Sequence, residues 1–140
     1  MNNKCNILLV SCVFPPEPVV SASLSFDIAS ELSKSYNVTV ISPFSSRPNG
    51  MIFNEIETDN YPFLLRRLKT YVSNKSTIYS RFRESHSFGF QTSKFIKSNC
   101  NNIDLIYMNT WPLLAQFYTV LIAKKYLIPV VTHIQDIYPE

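Results

Sequence analysis

Four short apolar runs, at residues 6–12, 38–41, 104–108 and 129–133, alternate with stretches whose apolar residues repeat at helical spacing. That alternation admits little other than a parallel sheet with crossover helices. The first run is closed by Pro15, Pro16 and Pro18, which cannot continue a ladder. Leu24, Ile28 and Leu32 then fall on one face with Phe26 and Ala29 beside them, which predicts an amphipathic helix capped by Ser21 or Ser23 and ending near Lys34. The β-branched run at 38–41, followed by Ser42 and Pro43, completes a βαβ unit of right-handed connection.

Residues 43–60 are rich in turn formers, among them Pro43, Pro48, Asn49 and Gly50, with room for one strand around 51–57. Residues 61–99 take helical spacing with many cations and predict two helices divided near Ser73 and Asn74, the second weakened by Gly89. A strand over 104–108 follows, then a helix with Pro112 in its first turn, running to about Tyr126. This helix is apolar on nearly every side, which predicts that it is covered. A buried strand over 129–133 comes last. The whole predicts a single doubly wound α/β domain over residues 1–140, with four or five parallel strands. The sequence stops at Tyr138-Pro139-Glu140, just after a strand and where a helix is due, so it reads as a piece of a longer protein.

A chain of 140 residues that is 46% hydrophobic can bury one sheet and its helices. The net charge of +3 does not by itself argue for a nucleic-acid partner. Cys5, Cys12 and Cys100 lack CxxC pairing and a histidine cluster, which argues against zinc and a disulfide framework and for reduced, core-type thiols. The apolar run behind Lys4 leads into Phe14-Pro15-Pro16 rather than a small-residue cleavage site, so no signal peptide is read. The longest apolar stretch, 111–123, is interrupted by Gln116 and Thr119 and falls short of the ~20 residues that span a bilayer.

Chemistry is expected at the carboxyl ends of the strands, where βα loops and helix N-termini converge. His133 ends a strand, and Asp136 follows close enough in a turn to orient or charge its imidazole. The competing structural reading satisfies His133 with a backbone carbonyl and uses Asp136 as a helix cap. The first βα loop has no glycine fingerprint, since Gly50 and Gly89 are the only glycines in the chain. It offers instead a proline-set turn, Phe14 to Pro18, ahead of Ser21, Ala22 and Ser23, where free N–H groups and hydroxyls can hold a phosphate or simply cap a helix. Cations at Arg66, Arg67, Lys69, Arg81 and Arg83 interleave with Phe63, Tyr71, Tyr79 and Phe82. Such a pattern suits an anionic membrane, a diphosphate-bearing substrate or single-stranded nucleic acid, or else helices with solvated cations and buried rings.

The segments Phe14-Pro15-Pro16-Glu17-Pro18-Val19-Val20-Ser21-Ala22, Asp104-Leu105-Ile106-Tyr107 through Trp111-Pro112, and His133-Ile134-Gln135-Asp136-Ile137-Tyr138-Pro139-Glu140 together resemble family 4 glycosyltransferases of bacterial polysaccharide biosynthesis, such as capsule or O-antigen enzymes. Arg83-Glu84-Ser85 and Phe88-Gly89 are a weaker match between them. The resemblance implies the N-terminal, acceptor-side half of a two-domain enzyme, a Rossmann-like parallel sheet with helices on both faces, with the donor-binding second domain absent. It implies sugar transfer from a nucleotide-sugar donor such as a UDP-sugar, with retention of configuration, without cofactor or metal. The acceptor would be a glycan or lipid-linked diphosphate, presented to a cytoplasmic protein that can sit peripherally at the inner face of the cell membrane. No nucleic acid is expected on this reading.

By the same resemblance His133 lies beside the transferred sugar with Asp136 in support, and Pro16, Glu17, Ser21, Ala22 and Ser23 belong to the donor-phosphate or acceptor loop. Val20-Ser21-Ala22 stands where a glycine pair is common in that family. Arg66, Arg67, Lys69, Arg81 and Arg83 would face the acceptor or membrane, and the fragment alone would be inactive. The alternative class is a non-catalytic α/β module that binds membrane or nucleic acid through its basic aromatic stretch, 61–97.

Overall fold

In the computed structural model, which describes residues 4–46, 60–73, 77–109 and 112–134, the order is β1 (Asn6–Val10), α1 (Val20–Ser33), β2 (Asn37–Pro43), β3 (Leu64–Leu68), α2 (Ile78–Asn99), β4 (Leu105–Asn109), α3 (Leu113–Lys125) and β5 (Val130–His133). The five strands form one parallel sheet in the order β3-β2-β1-β4-β5. Alternate residues of each strand supply the two cores. Leu8, Val10, Ile41, Ile106 and Met108 pack with Phe88 and Ile96 of α2 and Ala115 and Ala123 of α3. Ile7, Leu9, Val38, Val40 and Leu65 pack with Ala29 of α1 and with Phe14 and Phe63. The expected Rossmann-like α/β architecture is therefore observed, with α1 on one face and α2 and α3 on the other.

Three elements depart from expectation. The first half of the basic stretch, predicted as a helix, is the edge strand β3. Phe63 and Leu65 are buried while Leu64 and Arg66 are exposed, an alternation of period two that the adjoining cations obscured. The cap of α1 is Val19, with no side-chain hydrogen bond, so neither Ser21 nor Ser23 caps the helix. α3 is covered on one stripe only. Ala115, Thr119 and Ala123 are buried, whereas Leu113, Phe117, Val120 and Leu121 remain exposed. The strand expected at 51–57 lies outside the described residues.

Gly89 proves to be a packing residue rather than a weak point. A Cβ placed there would stand 2.6 Å from Tyr118 Cδ2 and 2.9 Å from Ala115 Cα, so its absence lets α2 and α3 cross closely. A reciprocal capping box starts α2, with Ser80 N–H donating to Thr77 Oγ1 at 3.1 Å and Thr77 N–H donating to Ser80 Oγ at 2.9 Å. No helix among the described residues is long and apolar enough to cross a membrane.

Candidate functional site

All strands run the same way, so their carboxyl ends share one edge. The chain turns back across the sheet between β1 and β4, and the loops leaving those strands part into the crevice where such sheets take ligands. Ser11 follows β1, and Asn109 closes β4. Asn109 Nδ2 donates to Ser11 Oγ at 3.3 Å and to Ser25 Oγ at 3.2 Å. Ser11 Oγ also bonds Val13 O at 2.7 Å, and Ser25 Oγ bonds Ser21 O at 2.8 Å. Both serines are buried, at 1% and 2% exposure. This node ties the start of the proline loop and the first turn of α1 to the end of β4.

β5 ends on His133, the register partner of Asn109, so the imidazole begins one strand spacing, about 5 Å, from the node. It lies on the same edge as the proline loop. Its ring is 6.1 Å from that of Tyr107, and its Nδ1 is buried with no hydrogen-bond partner among the described residues. Burial pushes the Tyr107 phenol above its ordinary value, because the low-polarity surroundings disfavour the phenolate. Asp136, expected to support His133, lies outside the described residues.

The proline loop is anchored at both ends. Phe14 is fully buried, in an edge-on contact with Phe63 at 5.8 Å. Glu17 is buried, and its Oε1 accepts from Ser46 N–H at 2.7 Å, joining the loop to the stretch after β2. Pro16 and Ser21 are half-buried, Ala22 is fully buried and Ser23 is exposed. Of this group, Ser21 and Ser23 thus retain surface on the first turn of α1, and Ala22 packs inward.

On the other side of the loop, a cavity of about 580 Å³ lies between it and the N-terminal turns of α2 and α3, with Cys12, Val13, Phe82, Phe88 and Leu113 in its wall and Glu17 at its border. The volume is in the range of sites for small organic ligands.

The five cations singled out by sequence are not one patch. Arg67 turns inward, donating to Ser42 Oγ at 3.3 Å and Pro43 O at 3.0 Å, and also to Pro15 O, so its guanidinium ties β3 to the end of β2 and to the proline loop. Arg66 and Lys69 are exposed on and just beyond β3. Arg81 lines the cavity from α2, and Arg83 stacks 4.1 Å above the Tyr71 ring. Ser11, Ser25 and Asn109 were missed by sequence reasoning. The signal was present for Ser11 and Asn109, each a polar residue at the carboxyl end of an apolar run, which is the same signal that singled out His133.

No protein-family profile matches the chain, and no curated protein matches it. Solved structures do share the fold. One is the C-terminal domain of the PF1911 hydrogenase from Pyrococcus furiosus, with a TM-score of 0.62, 15% identity, and coverage of 92% of this chain and 91% of that one. A second is the glycotransferase of kitacinnamycin, with a TM-score of 0.61, 14% identity, and coverage of 92% of this chain and 30% of that one. A third is Phytolacca americana UGT2, solved with UDP-2fluoro-glucose and pterostilbene, with a TM-score of 0.60, 13% identity, and coverage of 94% and 30%. The chain therefore spans about 30% of the length of these two transferases. The domain has a fold found in glycosyltransferases, and the same fold occurs in a domain of a hydrogenase. Function has to be argued from the site.

Proposed function

We propose that this chain forms one wall of a retaining glycosyltransferase of the family 4, polysaccharide-building type, and that the crevice between the ends of β1, β4 and β5 receives the transferred sugar and the donor diphosphate. The observation that carries this reading is His133. A buried ring nitrogen, unspent within the described fold, stands at the carboxyl edge beside the switch point, where an unpartnered polar group is costly unless something binds it. A nucleotide-sugar, such as a UDP-sugar, supplies that something, and Asp136 is the proposed support for the imidazole.

Transfer breaks the bond between the anomeric carbon and the diphosphate oxygen, leaving positive charge on the sugar ring and negative charge on the departing nucleoside diphosphate. The acceptor hydroxyl forms the new bond on the same face and passes its proton to the departing diphosphate oxygen. Fixed donors at the crevice lower the barrier by meeting the charge that develops. His133 is the proposed donor from β5, and the N–H groups and hydroxyls of Ser21 and Ser23 at the start of α1 are the proposed donors from the loop. The chemistry so described calls for no metal. The acceptor, a glycan or lipid-linked diphosphate, would enter from the cavity side at the cytoplasmic face of the membrane, and the second wall would come from a donor-binding domain.

The test is a screen of nucleotide-sugars with the full-length protein, read as release of nucleoside diphosphate. His133→Ala is expected to lower turnover by orders of magnitude while leaving the fold intact. Unchanged turnover in that variant removes the imidazole from the mechanism.

A further inference from the structure

The proline loop that leads to the proposed phosphate donors cannot hold itself in place. Pro15, Pro16 and Pro18 have no N–H, so Phe14 and Glu17 supply the only backbone donors over residues 14–18. The loop closes on itself through the N–H of Glu17, bonded to Phe14 O at 3.3 Å, and that of Val19, bonded to Glu17 O at 2.9 Å. Further donors have to come from elsewhere in the fold. Pro15 O takes one from Arg67 Nη2, 52 positions away in sequence.

Strand register puts Arg67 within reach. It is the partner of Ser42 in the pairing of β2 with β3, and the same guanidinium donates to Ser42 Oγ at 3.3 Å and to Pro43 O at 3.0 Å. Its central carbon stands 5.9 Å from the centroid of the Phe14 ring, within the range of a cation–π contact. Phe14 is itself wedged between Phe26 of α1, at 6.1 Å, and Phe63 just ahead of β3, at 5.8 Å. The edge strand therefore sets where the loop stands above the sheet. On the other side Ser11 fixes the start of the loop through Asn109 and Ser25. Between these anchors the chain enters α1, whose first turn holds Ser21 and Ser23.

A site carried on a loop is as precise as the side chains that support it. Donors aimed at developing charge lose their effect when displaced, and roughly 1 Å can cost about a hundredfold in rate. We infer that Arg67 is a positioning residue, which holds the proline loop so that the first turn of α1 presents Ser21 and Ser23 to the donor diphosphate. The effect on catalysis rests on the transferase reading above, whereas the bracing of the loop does not. Arg67 thereby parts from its sequence neighbours Arg66 and Lys69, which are exposed. A cation that acted on the diphosphate by its charge could be replaced by lysine. A brace cannot, because one ammonium does not reproduce a planar fork that serves three separate oxygens.

Two variants separate these roles: Arg67→Lys keeps the charge, and Arg67→Met keeps only the bulk. The first measurement, amide hydrogen exchange of the full-length protein, needs no ligand. Exchange at Glu17 and Val19 is expected to quicken about tenfold in both variants, with β4 and α3 unchanged. The second is steady-state turnover of each nucleotide-sugar that the screen above finds active, UDP-glucose first, well below the unfolding midpoint of each variant so that all molecules are folded. Both variants should lose on the order of ten- to a hundredfold in kcat at unchanged KM for the donor. Leu64→Thr, on the exposed side of the same strand, should alter neither measurement. Full recovery of kcat in Arg67→Lys would show that charge suffices and would overturn the inference. So would loop exchange at the parent's rate, a raised KM at unchanged kcat, or an equal loss from Leu64→Thr. A parent that releases no nucleoside diphosphate from any nucleotide-sugar, while its variants loosen the loop, sinks the transferase reading and leaves the brace standing. Variants that turn over like the parent sink the positioning role and leave the transferase reading in place.

Discussion

Asn109 and Ser11, 98 positions apart in sequence, meet through a 3.3 Å hydrogen bond across the point where the strand order reverses. The same amide donates to Ser25 of α1, so one side chain holds the first βα loop, the first helix and the end of β4 together. Asn109→Ala removes both bonds and leaves the two buried hydroxyls, themselves 2.9 Å apart, only each other for a donor. A loss of about 1–3 kcal/mol in unfolding free energy is expected, measured by urea denaturation. Ser25→Ala leaves the bond from Asn109 to Ser11 in place but removes the bonds of Ser25 Oγ to Asn109, to Ser11 Oγ and to Ser21 O, and should cost a comparable amount.

Gly89→Ala sets helix propensity against packing. Alanine gains about 1 kcal/mol in a helix interior, yet its Cβ would stand 2.9 Å from Ala115 Cα, a backbone atom that cannot swing aside. Overpacking costs typically about 1–3 kcal/mol, so the variant should melt at lower temperature than the parent. A higher melting temperature would show that α2 and α3 separate freely.

Leu127 is the left-handed residue that ends α3, at φ 56°. Its N–H bonds Lys124 O at 3.2 Å, and that of Ile128 bonds Ala123 O at 2.9 Å, a Schellman pair in which glycine is usual. The side chain is 90% exposed and contributes little to the core. Leu127→Gly should therefore stabilise by about 1 kcal/mol, seen as a rise in melting temperature. A fall would mean that the exposed leucine makes up for its backbone.

Tyr107 gives a pH dependence of definite sign. Burial raises its folded value above the ordinary 10.0, so the stability tied to the neutral phenol is fully present below about pH 10 and is lost as pH rises through the folded value. Tyr107→Phe lacks that loss. The difference in unfolding free energy between parent and variant should be level up to about pH 10 and move in favour of the variant above it. A level difference throughout would mean that the phenol titrates alike in both states.

The sheet, its three helices and the placement of His133 were legible because apolar periodicity reports burial directly. β3 was not, because a five-residue edge strand carrying Arg66, Arg67 and a neighbouring Lys69 shows too little alternation to separate period two from helical spacing. The inward turn of Arg67 was equally hidden, since a guanidinium serving three backbone and hydroxyl oxygens looks in sequence like any other surface cation. The polar node needed the fold itself, because Ser11, Ser25 and Asn109 are neighbours only through the crossover that brings β4 beside β1. The exposed outer stripe of α3 ran against an all-round apolar composition that ordinarily signals a covered helix.

The most direct measurement is a titration of the isotopically labelled full-length protein with UDP-glucose, followed by backbone amide shifts. The predicted perturbations gather at Ser11, Ser21 to Ser23, Asn109 and His133, along the carboxyl ends of β1, β4 and β5. Shifts confined to the amino edge of the sheet or to the outer face of α2 and α3, with that crevice silent, would contradict the account.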